Sequence, residues 1–342
     1  MTSATIAQNE TCMILPQKHL PRRHFSLGAL AFLANAGLLS TSLASAFDFS
    51  SVTLRVASFR GMDSTILPAT GLADFPYKVE FSEFNSGNLI AQAINANAID
   101  LGGWSEIPLV FIAAAKANVK VVATMDGPTT NQAVVVPTNS TVRSFADLRG
   151  KKIGYIRSTT AHYFLIRMLQ QVGLTLADIK PVPLGMSQGL TAFKSGSLDA
   201  WATYGYVIPL LQADGSARIL ESAEKILSGH YFIGANPEKL SNPAFQAAAA
   251  DYILRLGKAY ACLTQNKPQW AKVVAPVIQV PEDIVLRDLN EQNRAYSPRP
   301  WNANDIQSAL SVADVFIQQG LITPNLTLEQ VFSNALFPLL SG

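Results

Sequence analysis

Histidine and cysteine are scarce in this chain of 342 residues, with four of the first and two of the second. Cys12, Cys262 and the four histidines fall into no group with metal-ligand spacing, so no metal site is expected. Charged residues make up only 15 % of the chain, and lysine and arginine form no basic stripe. That excludes a nucleic-acid surface, which needs clustered cations. Neither a Walker-type nor a dinucleotide glycine loop occurs, so no cofactor is expected. No apolar run reaches the length needed to cross a bilayer as a helix.

What is present begins with a leader. Arg22 and Arg23 precede the apolar run Leu27 to Leu39, and Ala44-Ser45-Ala46 offers an A-x-A cleavage site. Residues 1–46 therefore read as an export signal. PRRHFSL resembles a twin-arginine signal, with Pro21 where Ser or Thr is usual, and a Sec signal stays open. No cysteine adjoins the cleavage site, so a lipoprotein anchor is not expected. Cleavage removes Lys18, Arg22, Arg23 and Glu10 and leaves equal numbers of basic and acidic residues. It also removes Cys12, so that Cys262 stands alone and the exported protein relies on its core. The expected location is a Gram-negative periplasm.

Beyond the leader, short β-rich runs (VTLRVAS, YKVEFSEF, AIDLGGW, VKVVATM, QAVVVP, KKIGYI, KPVPL, SLDAWAT) alternate with helical patterns. The alternation predicts an α/β protein with mainly parallel sheets. From about Asn242 the pattern turns mostly helical. A faint echo aligns Ala93–Asp100 with Ala192–Asp199, each a helix end, a small turn and a strand start. Two similar lobes would produce it, their ligand gathered at the carboxyl ends of strands.

One stretch stands out, RSTTAHYFLIRMLQQVG from Arg157 to Gly173. Leu165, Met168, Leu169 and Val172 follow the spacing of one buried helix face, and Gly173 suits its end. Ser158, Thr159 and Thr160 then fall at the helix N-terminus. There a hydroxyl either caps the helix or helps the free N–H groups and the dipole hold an anion. The residues alone leave both readings open.

SFADLRGKKIGYIRSTTAHYFLIRMLQQVGLTLADIKPV, NSGNLIAQAINANAIDLGGWSEIPLVFIAAA and GSLDAWATYGYVIPLL, in that order, resemble segments of periplasmic binding proteins for ABC importers of the aliphatic-sulfonate, taurine and nitrate type. The resemblance runs from about Leu54 to Ile322. It implies a two-lobed periplasmic-binding-protein fold of type II with a ligand cleft between the lobes. Lobe I is expected over 47–133 and 230–342, and lobe II over 134–229. The partners implied are a small-molecule organic anion and an ABC permease in the inner membrane with a separate ATPase; a monomer is expected. The resemblance also favours the anion site at Arg157–His162, with Ser158 where the family usually has Gly.

Further cleft positions are expected at strand ends and helix starts. These are Phe59 and Arg60 after the first strand, Ser86 and Gly87 at a second helix start, and Trp104 and Ser105 after the third strand. Asn131 and Gln132 sit just before the crossover, and Tyr204 and Tyr206 stand where the family carries a Trp-Asp-Pro-like stretch. Each has a plainer reading: Arg60 solvated, Trp104 in the core, His162 packed in the helix's first turn. Tyr204-Gly205-Tyr206 holds no carboxylate for a ligand ammonium; Glu106 either substitutes for it or, as a residue in a helical segment, only faces solvent. An alkyl or aryl sulfonate is the favoured ligand, with nitrate, taurine and a thiamine-pyrimidine-like heteroaromatic as alternatives.

An enzyme reading competes. Gly185-Met186-Ser187-Gln188-Gly189 fits G-x-S-x-G between a strand and a helix, with Asp199 or Asp214 and then His230 downstream. Gly and Ser are ordinary turn and helix-start residues, however, and the chain after His230 turns helical. A binding protein, not an enzyme, is the expectation.

Overall fold

The structure, a computed structural model, describes residues 12–15 and 47–341. The alternation read from the sequence builds two sheets. The first half runs β1 (Thr53–Ser58), α1 (Asp63–Ala69), β2 (Lys78–Glu83), α2 (Gly87–Asn95), β3 (Leu101–Ser105), α3 (Glu106–Ala114) and β4 (Lys120–Asp126). A crossover strand, β5 (Gln132–Pro137), then opens the second half, which continues through β6 (Lys152–Tyr155), α4 (Thr160–Gln171), β7 (Lys180–Pro183), α5 (Met186–Lys194), β8 (Ala200–Tyr204), α6 (Val207–Ala213) and β9 (Ala217–Ser222). The chain returns through β10 (His230–Ala235) and ends in α7 (Pro243–Gln265), α8 (Lys267–Ile278), α9 (Glu282–Glu291), β11 (Ser297–Arg299), α10 (Ala303–Gln318) and α11 (Phe337–Leu340).

Six strands form one sheet in the order β11-β4-β10-β3-β1-β2, and five form the other in the order β7-β6-β8-β5-β9. Within each lobe the βαβ strands pair parallel, β1 with β2 and β3, and β6 with β7 and β8. The crossover strands lie antiparallel, β10 between β3 and β4, and β5 between β8 and β9. The sheets are therefore mixed rather than mainly parallel: a strand arriving from the other lobe needs no helical crossover to reach its neighbour. Lys180-Pro181-Val182-Pro183 stands at a sheet edge, where missing N–H donors cost least.

The echo between the halves has a structural cause. Asp100 accepts a hydrogen bond from the N–H of Arg55 at the start of β1, at 3.0 Å, and Asp199 accepts one from the N–H of Lys152 at the start of β6, at 2.7 Å. Asn97 and Gly196, matched in the echo, both take left-handed φ values of 56° and 74°. Each lobe thus closes its helix-to-strand turn by the same device.

In α4, Leu165, Met168 and Leu169 are buried as their spacing predicts, each contributing about 1.5–3 kcal/mol over exposure. Val172 differs: it lies beyond the last helical turn, at the C-cap, and is 41 % exposed. Between the lobes, Ile107 and Val110 of α3, Tyr163 and Ile166 of α4, and Val312 and Phe316 of α10 share one apolar cluster.

Residues 12–15 lie against the first lobe. Cys12 and Cys262 form a disulfide across 250 residues, Ile14 is buried, and the Leu15 N–H donates to the Ala69 carbonyl at 2.7 Å. The expectation of a solitary Cys262 is thereby corrected for the full chain, through a proximity that no sequence spacing reveals. The rest of the expected export signal, including Arg22, Arg23 and the A-x-A site, lies outside the described residues.

Candidate functional site

Three helices begin at strand ends with a hydroxyl at the N-cap in extended backbone: Ser86 before α2, Ser105 before α3 and Thr159 before α4. None of the three side chains caps its own helix. By contrast, Asn242 and Asn302 do cap α7 and α10. Thr159 turns its Oγ1 back to donate to the Ile156 carbonyl at 2.7 Å. The plain capping reading of the opening loop therefore fails, and the first-turn N–H groups are left for another acceptor.

At the start of α4, the N–H groups of Thr160 and Ala161 have no acceptor among the described residues. Thr160 lines a small cavity with Ser105, Glu106, Ile107, Gln132, Leu227, Ser228, Gly229, His230 and Tyr231. The Oε1 atoms of Gln132 and Glu106 and Nδ1 of His230 are all buried without a hydrogen-bond partner. Buried polar atoms are seldom left so, and several at one cavity mark a place for a polar ligand.

Ser158 holds φ at 59°, in the left-handed region, which explains why a glycine is the easier residue there. Its N–H donates to Nδ1 of His162 at 3.4 Å. The His162 ring packs between Tyr155 and Phe316, with centroids at 4.8 and 5.2 Å. Burial pushes this imidazole down to about 4, with the charge of Arg157 adding to the effect, so it is neutral near pH 7. His162 supports the loop from behind and does not line the cavity.

The other expected residues divide. Ser105, Gln132 and Thr160 meet in the cavity, and Tyr204 pairs across the sheet from Gln132. Burial pushes the Tyr204 phenol up to about 12. Ser86 and Gly87 sit at the α2 start, where Gly87 is needed: a Cβ there would come within 2.4 Å of the Trp104 Cβ. Trp104 itself is core, 1 % exposed and opposite Phe232 in the sheet. Phe59 packs against the same apolar cluster, while Arg60 is exposed. Asn131 accepts from the Gly205 N–H through its backbone carbonyl at 2.7 Å, leaving a buried Oδ1 without a partner. Tyr206 reaches a different cavity, lined by Tyr260, Tyr296, Trp270, Met62 and Ile66 among others. The ring of Tyr231 lies 5.3 Å from that of Tyr296, so aromatic surface runs from the polar cavity toward this one.

Of the two readings of Glu106, the solvent-facing one fails: it is buried at 3 % exposure and lines the cavity. Its Oε2 accepts from the Ser228 hydroxyl at 2.7 Å. His230 stands beside it, and this imidazole is raised above its usual value, first by Glu106, against burial, and then by Asp305 and Asp126. The residues of the hydrolase-like motif do not come together. Asp214 pairs with Lys194, Asp199 accepts from Lys152, and His230 lies with Glu106, Asp126 and Asp305. Ser187 contributes only its carbonyl, to Thr191.

A family model described as NMT1/THI5 like matches residues 77–243. An aliphatic sulfonates-binding protein of Escherichia coli strain K12 is 29 % identical over 307 residues, covering 87 % of this chain and 94 % of the relative. The taurine-binding periplasmic protein of the same strain is 24 % identical over 204 residues, 60 % of each chain. Among solved structures, the alkanesulfonate-binding protein of Xanthomonas axonopodis pv. citri bound to MOPS superposes with a TM-score of 0.73 at 28 % identity, covering 82 % of this chain and 98 % of that one. These relatives are binding proteins, not enzymes. With two mixed sheets and a polar cavity where the uncapped helices α3 and α4 begin, the chain is similar to the two-lobed sulfonate-binding proteins, and its residues 77–243 match the NMT1/THI5-like model.

Proposed function

We propose that this protein captures a small organic sulfonate in the periplasm and delivers it to an ABC importer. The observation that carries the reading is the uncapped start of α4, where Thr160 lines a cavity with Ser105 and Gln132 and the N–H groups of Thr160 and Ala161 have no acceptor among the described residues. A sulfonate presents three acceptor oxygens and stays anionic across the physiological range, which suits donors at the positive end of a helix dipole. Tyr231 offers aromatic surface to the organic part. The names of the relatives support the same ligand class.

The lobes divide as 47–133 with 230–342, and 134–229, behind an export signal over 1–46. The binding protein acts as a monomer that closes on its ligand and docks on a separate permease and ATPase. Isothermal titration in Tris, free of sulfonate buffers, tests this. Micromolar or tighter binding of alkane- or arylsulfonates, with nitrate and pyrimidines inert, supports it. Binding of nitrate or a pyrimidine alone refutes the ligand class.

A further inference from the structure

The cavity at the start of α4 offers an anion donors on one side and acceptors on the other. Glu106 Oε1, Gln132 Oε1 and His230 Nδ1 are buried there without a hydrogen-bond partner. A sulfonate brings only more acceptors, and its charge enters a space that already holds a buried carboxylate. None of the described residues lining the cavity is a lysine or an arginine.

His230 stands where the missing positive charge is needed. Its Nδ1 lies 3.8 Å from Glu106 Oε1 of α3 and 3.7 Å from Asp305 Oδ1 of α10, and its Nε2 lies 4.0 Å from Asp126 Oδ1 of β4. A neutral imidazole, in either tautomer, aims one lone pair at a carboxylate. The imidazolium instead presents an N–H to a carboxylate on both sides. Arg299 of β11 donates to Asp126 and Asp305. The other guanidiniums nearby are engaged elsewhere, Arg294 on the Ser228 carbonyl and Arg167 of α4 on the Tyr163 hydroxyl. The phenols of Tyr231 and Tyr163 are both raised by burial and stay neutral near pH 7. In the empty site Glu106 draws a proton to the His230 ring and burial resists it. A sulfonate in the same cavity adds to the attraction.

We propose that sulfonate capture is coupled to the uptake of one proton, held on His230, so that the anion and its counter-charge arrive together. The inference rests on the sulfonate reading above. The proton comes from solvent and adds to the free lone pair of the imidazole; no other covalent bond changes. The bound anion makes the ring a stronger base than it is in the empty site. Kd is therefore flat at pH values where the empty site is already protonated. Above them Kd rises with pH, by at most about tenfold per unit for a single proton.

Titration calorimetry of the untagged exported protein with propane-1-sulfonate tests this from pH 6 to pH 9. Sulfonate-free buffers of different ionisation enthalpy turn the measured heats into a proton count. The wild type is expected to take up roughly half a proton or more at its maximum, with Kd at least about tenfold higher at pH 9 than at pH 6. A folded His230→Gln is expected to bind without uptake and with little dependence on pH. The exported chain has two histidines, His162 and His230, so NMR follows each imidazole directly. The ring that titrates near neutrality is expected to shift to higher pH when ligand binds. If His230→Gln does not fold, the wild-type heats and this NMR titration decide, because burial keeps His162 neutral there. Binding without proton uptake in the wild type, or uptake retained by a folded His230→Gln, overturns the coupling and leaves the sulfonate reading intact. Failure of propane-1-sulfonate to bind at any pH overturns both.

Discussion

Two adjacent threonines at the start of α4 carry different loads, and substituting each separately exposes the difference. Thr160 lines the cavity, and its hydroxyl makes no hydrogen bond among the described residues. Thr159 donates its hydroxyl to the buried Ile156 carbonyl. Valine at either position keeps the shape and removes the hydroxyl. A hydrogen bond to a charged group is worth about 1.5–3 kcal/mol, so Thr160→Val should raise Kd for an alkanesulfonate roughly 10- to 150-fold. Its Tm should stay close to wild type. Thr159→Val instead leaves a buried carbonyl without its donor, at about 1–3 kcal/mol of stability, or a Tm lower by a few degrees. Its Kd should change far less. Calorimetry and differential scanning fluorimetry on both variants separate the cases. A wild-type Kd for Thr160→Val, or a greater loss of affinity in Thr159→Val, would refute the assignment of the head-group donors.

Other consequences are open to measurement. Gly87→Ala drives a Cβ to 2.4 Å from that of Trp104 and pushes α2 off β3; overpacking of this kind costs about 1–3 kcal/mol, visible as a lower midpoint in urea. His162 is neutral and buried, with its proton affinity lowered to about 4 against an ordinary 6.5. The unfolded chain therefore takes up the proton first, and stability drains away as pH falls from about 6.5 to 4. Relative to wild type, His162→Phe should gain about 3 kcal/mol in unfolding free energy between pH 7 and pH 4, and a pH-independent difference would contradict the burial argument. Cleavage after Ala46 separates Cys12 from Cys262, so denatured exported protein should titrate one thiol per chain; a chain with no free thiol and residues 12–15 retained would overturn the leader reading. Ser187→Ala should leave ligand binding unchanged, and a serine-directed phosphonate should not label the folded protein.

Much of the fold was legible because it rests on local periodicity. The β-rich runs became strands, and Leu165, Met168 and Leu169 turned inward as their spacing required. The direction of the crossover strands was not legible, since antiparallel entry of β5 and β10 depends on chain arriving from the other lobe. At the site, hydroxyls at helix starts were a readable signal, and Ser105 and Thr160 line one cavity. Trp104 was ambiguous because an aromatic at a strand end serves either a ligand or a core; Gly87 and Gly234, which pack against it, settle it as core. That Glu106 and His230 share one cavity was not legible, for a different reason. They are 124 positions apart in the numbering, and only the pairing of β10 with β3 sets Tyr231 against Ser105 and so brings their neighbours together.

That same pairing fixes an order of assembly during synthesis. The first sheet holds β1 to β4 from the early chain but is completed by β10 and β11, the last of which ends at Arg299. Everything from β5 to β9 is made in between and forms a sheet of its own. The inserted lobe has all its strands by Ser222, whereas the lobe that begins the protein must wait, its centre open between β3 and β4, until most of the chain has left the ribosome. Such a delay prolongs the unfolded interval a Sec translocon requires. On a twin-arginine route, which carries folded chains, closure of the first sheet would have to come before export.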